Sequence, residues 1–297
     1  MIAMKNVGTS EKIFIIASYV ILAILAIIII IPLFSVVISS FVSAAELARR
    51  GQFILWPEKW DTSAYAMLFR TDRLYSGYAN TLFVTIVGTS LSMVMTILLA
   101  YPLSKKELRG RGGLLGMIFF TMIFNAGMVP NYILVKELGL LNSRWALVLP
   151  YICNTWNMLL MRNFFYAIPD ALEEAAYLDG ANQFQILIQI ILPVSLPSIA
   201  TIAMFYGVSF WNAWFPGVMY ITDTSLVPIQ NIMRSIIISA TGQLEEMGLM
   251  IDDVRQQPNA HTLKCAAIVV STLPILCVYP FIQKYFVKGV MVGSVKG

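Results

Sequence analysis

The chain has 297 residues, of which 58% are hydrophobic and 12% charged, with a formal net charge of +4. Soluble domains carry about 25% charged residues, and a chain of this length could not hide so much apolar surface in its own core, so lipid must cover part of it. The charge is mild and scattered, which excludes a nucleic-acid footprint and fits basic edges flanking a bilayer.

In chain order, a polar start (Met1 to Lys12) leads into an apolar run from Ile13 to about Val42. That run exceeds the apolar core of a signal peptide and has no clear cleavage site, so a retained first helix is expected. A spanning helix needs about 20 mainly apolar residues. The runs that qualify are 13–41, 79–103, 113–135, 145–166, 194–216 and 263–284. The fold class is therefore an all-α integral membrane protein of about six transmembrane helices, with residues 1–297 as a single transmembrane domain. Asn125, Gly127 and Pro130 interrupt the third run. An even number of spans puts both termini on one side. Lys105, Lys106, Arg109 and Arg111 concentrate positive charge in the short loop after the second run, which places that loop and both termini in the cytoplasm. Residues 42–77, with Trp56 and Trp60, and residues 217–262, with the single histidine His261, then lie outside. Within the latter, Val227 to Ser239 mixes apolar positions with Gln230, Asn231 and Arg234, as a short surface helix does.

Few groups in this chain can do chemistry. The three cysteines, Cys153, Cys265 and Cys277, lie in apolar stretches without ligand spacing, and His261 has no acidic or thiol neighbour at such a spacing, so no metal site is expected. Uncharged polar residues inside the spans are the candidates for a solute route. Asn154 and Asn157, three apart with Trp156 between them, would face one side of the fourth span, and Asn125 is similar in the third. Amides at membrane depth mark pathways, or hydrogen-bond between helices, and both readings stand. Trp211, Asn212 and Trp214 end the fifth span, where aromatic rings either stack on a passing solute or form an interfacial belt.

Between the fourth and fifth spans lies PDALEEAAYLDGANQFQILIQIILP, residues 169–193. Pro169 suits a helix start, and Asp170 and Glu173 suit the positive end of the helix dipole. Ala175 and Ala176 offer a small-residue face to another protein. Gly180 closes a helix of about 170–180, because glycine takes the left-handed conformation cheaply. Pro193 falls where the fifth span begins. Singly, these features fit any well-capped linker helix.

The complete spacing is more specific. Glu174-Ala175-Ala176, three residues, Gly180, nine residues, Ile190, one residue and Leu192-Pro193 resembles, at every position, the cytoplasmic signature of binding-protein-dependent ABC importer permeases. Asn80-Thr81-Leu82, the basic loop 105–112, Met128-Val129-Pro130, Leu138-Gly139-Leu140 and Asp179-Gly180-Ala181 resemble the carbohydrate members. The C-terminal KYFVKGVMVGSVKG, from Lys284, resembles the maltose-type second permease, and more closely the oligosaccharide and polysaccharide permeases of lipoprotein-dependent systems.

This resemblance implies the binding-protein-dependent ABC importer permease fold in the cytoplasmic membrane, with 170–180 as a coupling helix. Asp170, Glu173, Glu174, Ala175, Ala176, Asp179, Gly180 and Pro193, with Lys296 and Gly297 of the tail, would then contact the ATPase. The implied partners are a second homologous permease, two cytoplasmic ATPase subunits and an extracellular sugar-binding lipoprotein, with an oligosaccharide as cargo. No G-x-x-x-x-G-K-[ST] loop occurs, so no cofactor is expected on this chain, and ATP and Mg belong to the partner ATPase. An importer permease for another solute, such as peptide or phosphate, remains open because the signature is widely shared. A secondary transporter would need ionisable residues within the membrane, and the spans hold almost none. An intramembrane enzyme would need a convergent nucleophile, base or metal set, and none is visible.

Overall fold

The computed structural model describes residues 8–240 and 260–294. Lys296, Gly297 and positions 241–259 of the expected outer segment lie outside the described residues. Every regular element among those described is helical. In order they are α1 (Thr9–Ser39), α2 (Ala44–Arg50), α3 (Ser63–Phe69), α4 (Asp72–Ser104), α5 (Arg111–Ile123), α6 (Met128–Glu137), α7 (Thr155–Tyr166) and α8 (Asp170–Leu178). There follow α9 (Gln183–Val194), α10 (Leu196–Trp211), α11 (Phe215–Tyr220), α12 (Ile229–Ala240) and α13 (Ala260–Ser294).

Three helices are long and apolar enough to cross a membrane: α1, α4 and the Ala260–Val278 part of α13. Two bent pairs raise the number to five if each pair is one span. In the first, α5 and α6 meet at 108° across residues 124–127. The interruption expected from Asn125 and Gly127 is therefore a sharp corner: Asn125 Oδ1 accepts the Gly127 N–H at 2.9 Å, and Gly127 has φ +90°. In the second, α9 and α10 meet at 83° around Ser195. Pro193 and Pro197 each remove one backbone donor there, and the ladder just before them widens into a π turn at Leu187–Ile191. The expected fourth run, 145–166, differs most. Two 3-10 turns, Arg144–Leu147 and Leu149–Tyr151, occupy its first part, and the α-helix is the 12-residue α7. Pro150 and the capping Asn154 account for this, since neither continues a helix through its own position.

The described residues form two compact units, one within 1–70 and 235–271 and the other within 71–234 and 272–297. In the first, α1 exposes apolar side chains all round until Ser35, as a helix facing lipid does. Beyond it the chain is stapled by Glu46, whose buried carboxylate accepts the Glu58 N–H at 2.9 Å and Arg50 Nη1 at 2.6 Å. Trp56 and Trp60 pack edge to face at 5.8 Å, and Trp60 packs on Phe41 at 5.4 Å. Thr262 Oγ1 donates to the Val42 carbonyl at 3.0 Å.

The Glu58 backbone bond, followed by Arg50, holds the Glu46 carboxyl below its ordinary value of 4.5. A lowered folded pKa gives a stabilisation that is full above the unfolded value and lost as pH falls through the folded one. Trp56 and Trp60 fluorescence in the purified protein should therefore change as pH drops below about 4.5, and Glu46→Gln should remove that transition.

In the second unit α4 is the centre, packing on both α10 and α7. Small residues allow the approach: a side chain at Gly88 would meet the Phe210 ring at 2.9 Å. Within lipid, association rests on such close packing and on interhelical hydrogen bonds. Tyr206 supplies these, its hydroxyl bonding Thr96 Oγ1 at 2.8 Å and accepting the Asn154 N–H at 3.1 Å. Met158, Met161, Ile186, Ile191 and Ile202 fill the space around them.

Candidate functional site

The segment expected to carry function folds as a short helix with both ends specified by its own residues. Asp170 and Glu173 lie in the first turn of α8. At its end Gly180, with φ +84°, donates to the Tyr177 carbonyl at 3.0 Å, and Ala181 donates to the Ala176 carbonyl at 3.0 Å. These two bonds are a Schellman motif, with Asp179 as C-cap and Gly180 in the left-handed position. Two residues later Asn182 starts α9 through a capping box with Gln185, each bond 2.9 Å. The Asp179-Gly180-Ala181-Asn182 stretch thus stops one helix and starts the next.

The two alanines of the signature face opposite ways. Ala176 is buried in the core, whereas Ala175 is exposed alongside Ala171, Glu174 and Leu178, the last 89% exposed. These four, among the exposed positions of α8, fall at i, i+3, i+4 and i+7, one face of a helix. The small-residue face offered outward is therefore Ala171 and Ala175, and Ala176 packs inward.

The inner face of α8 meets the end of α4. Glu173 pairs with Lys105, both mostly buried, and Asp170 pairs with Lys106 at 3.2 Å in the open. Lys105 Nζ sits 4.5 Å from the Tyr101 ring centre. Tyr101 donates its hydroxyl to Gln183 Oε1 at 3.1 Å, and Gln183 in turn donates to Tyr177. The last carbonyls of α4 carry partial negative charge. Arg111 and Arg162 neutralise one of them, donating to Leu103 O at 3.1 and 3.2 Å, and both stack on Tyr166. The hydrogen bond and charge of Asp170 keep Lys106 protonated above its usual range. Between α8 and the loop after α4 lies a cleft of about 640 Å³, bordered by Lys106, Glu107, Asp170, Glu174 and Tyr177.

The expected pathway residues sit at different places in these elements. Asn154 caps α7, accepting the Asn157 N–H at 3.0 Å, so it precedes the helix it was expected to lie within. Asn157 is buried and Trp156 exposed. Asn125 makes the corner between α5 and α6. Trp211 is buried beside Tyr78, and Asn212 donates to the Val208 carbonyl at 3.0 Å. Trp214 carries the Arg234 guanidinium 3.6 Å from its ring centre, while Asn231 donates to its carbonyl at 2.8 Å.

Asn80 has a role its position in the sequence does not reveal. Fully buried in α4, it donates to Ser225 O at 2.8 Å and accepts from Arg144 Nε at 2.8 Å, while Thr81 Oγ1 accepts the Ile229 N–H at 2.8 Å. These partners lie 64 to 148 positions away, so no local pattern could signal them. The capping box at Asn182, by contrast, is a readable four-residue spacing. Among the described residues no group of acidic, histidine or cysteine side chains could hold a metal ion.

With this geometry in place, comparison with known proteins is decisive. The polygalacturonan/rhamnogalacturonan transport system permease protein YtcP of Bacillus subtilis (strain 168) is 43% identical over 279 residues, 94% of this chain and 96% of that protein. The chain belongs to the permease subunits of sugar ABC importers. Protein LplC of the same strain is 40% identical to this permease over 270 residues, 90% of each chain. A chain in the crystal structure of a bacterial ABC transporter involved in the import of the acidic polysaccharide alginate superposes with a TM-score of 0.83 at 34% identity. That match covers 95% of the permease and 100% of the solved chain. No family model matches the permease. The all-α, multi-pass ABC importer permease fold follows from this likeness, with three spanning-length helices among the described residues, or up to five spans if each bent pair is one.

Proposed function

We propose that this permease carries oligosaccharides inward across the cytoplasmic membrane, by alternating access, with α8 as the helix on which an ATPase subunit pulls. The observation that carries the reading is the build of α8: a short helix closed by a Schellman turn, pinned inward by Glu173 and Ala176, and presenting Ala171, Glu174, Ala175 and Leu178 outward. A rigid helix with a small, open face is what docking in a groove of another protein requires. Relatives that serve polygalacturonan, rhamnogalacturonan and alginate import favour a sugar polymer fragment as cargo over peptide or phosphate.

In this reading the chain performs no catalysis and binds no cofactor. Two cytoplasmic ATPase subunits hold ATP and Mg, a second homologous permease completes the membrane route, and an extracellular sugar-binding lipoprotein delivers the cargo. The basic loop after α4, α8 and both termini face the cytoplasm. Along the route, Trp156 offers an exposed indole on which a sugar ring can stack.

Position 178 tests docking and sidedness together. In a chain whose three cysteines are replaced, Leu178→Cys should crosslink to the ATPase subunit in the assembled complex and escape an impermeant thiol reagent in intact cells. Asp61→Cys should react with that reagent. Labelling of 178 from outside, or no crosslink in a complex that contains the ATPase, would contradict the reading.

A further inference from the structure

The helix α8 is joined through the chain to α7 on one side and α9 on the other, but nothing covalent near it joins it to α4. Yet α4 is the helix against which both α7 and α10 pack. A displacement of α8 reaches the centre of the unit most directly where side chains bind the two together. Two ion pairs do so, and they differ in kind. Lys106–Asp170 is open, with 56% and 75% of the side chains exposed, and such surface pairs contribute little. Lys105–Glu173 is enclosed, at 24% and 14%. Its ammonium also rests on Tyr101, a ring that is 6% exposed, packs edge to face on Phe165 of α7, and reaches Gln183 at the start of α9. One cation therefore touches a point where α4, α7, α8 and α9 meet.

We infer that Lys105, Glu173 and Tyr101 form the joint that makes α4 move with α8, so that they position the helix rather than bind the ATPase or the sugar. Glu173 is enclosed whereas Glu174 and Leu178 are exposed, so the joint and the docking surface use different side chains. Removing one partner leaves the other charge enclosed and unpaired, and α8 can then shift without carrying α4. The joint needs its cation at 105, where it meets both the Tyr101 ring and the negative end of α4, and its carboxylate at 173.

The inference rests on the reading of α8 as the docking helix, and the experiment separates the two. The complete importer, purified with its ATPase subunits, is reconstituted in liposomes, and sugar transported per ATP hydrolysed is measured. Lys105→Met and Glu173→Gln should each lower that ratio about fivefold or more, the range of an ordinary coupling free energy. Lys105→Arg, which keeps the cation, should stay near wild type. If either neutral variant fails to assemble, the double variant Lys105→Met with Glu173→Gln still decides, since it leaves no unpaired charge yet lacks the pair, and its ratio should fall as well. Neutral variants with a wild-type ratio, or an arginine variant as impaired as the methionine one, overturn the joint. Glu174→Lys serves as the separate arm: it should weaken retention of the ATPase, and undiminished retention would instead overturn the docking helix.

Discussion

Replacing Gly180 with valine is expected to abolish most coupled transport, with alanine intermediate and asparagine mildest. A side chain at 180 would meet nothing within 4 Å, so the effect cannot be a clash. It arises from φ +84°, a conformation that glycine adopts freely, that asparagine tolerates and that a β-branched residue resists. Holding valine there costs about 1–3 kcal/mol, which would deplete the docked geometry of α8 by about five- to hundredfold. The alternative is for the Schellman turn to open, losing the Gly180 and Ala181 bonds and the start of α9 together. Binding-protein-stimulated ATP hydrolysis in the purified complex reads this directly. A valine variant with full stimulation would show that α8 need not end where it does.

The second large effect is expected at Asn80. Its amide donates to Ser225 and accepts from Arg144, entirely out of solvent. Asn80→Leu leaves a guanidinium N–H and a carbonyl unpaired, each a loss of about 1–3 kcal/mol, so unfolding in detergent should move to clearly lower temperature. Asn80→Asp keeps the Arg144 bond as an ion pair but sets a carboxylate against the Ser225 carbonyl, and a smaller loss is expected. Because Asn80 touches neither α8 nor its ion pairs, the surviving folded fraction should hydrolyse ATP normally when stimulated. Unchanged thermal stability in Asn80→Leu would show that the tether to the 222–229 segment contributes nothing.

Local chemistry was the part of this protein most open to sequence reading. Pro169 and Gly180 bound α8 in the structure because proline and glycine act through their own backbone torsions, wherever the rest of the chain lies. Which alanine faces in was not legible: the helical period separates 173 and 176 from 171, 174, 175 and 178, but only the partner Lys105, 68 positions away, says which side is inner. Asn154 misled for a related reason. An amide amid apolar residues looks the same inside a span as at the cap of a shorter helix, and its partner Tyr206 lies 52 positions on. The apolar content of 145–166 likewise concealed the break at Pro150, since hydropathy counts side chains and not backbone donors. Asn80 and Thr81 stood out as part of a family pattern, yet their use as tethers became visible only with their distant carbonyl and amide partners in place.

The central claim is that an ATPase drives this permease through α8, and the driving force of uptake tests it most directly. Liposomes holding the complete importer, with binding protein and the radiolabelled oligosaccharide that this binding protein retains on the lipoprotein side and ATP on the α8 side, should accumulate sugar. Uptake should cease when ATP is replaced by a non-hydrolysable analogue, and it should be indifferent to collapse of the proton or sodium gradient. Uptake that persists without ATP hydrolysis and falls with the ion gradient would contradict the account.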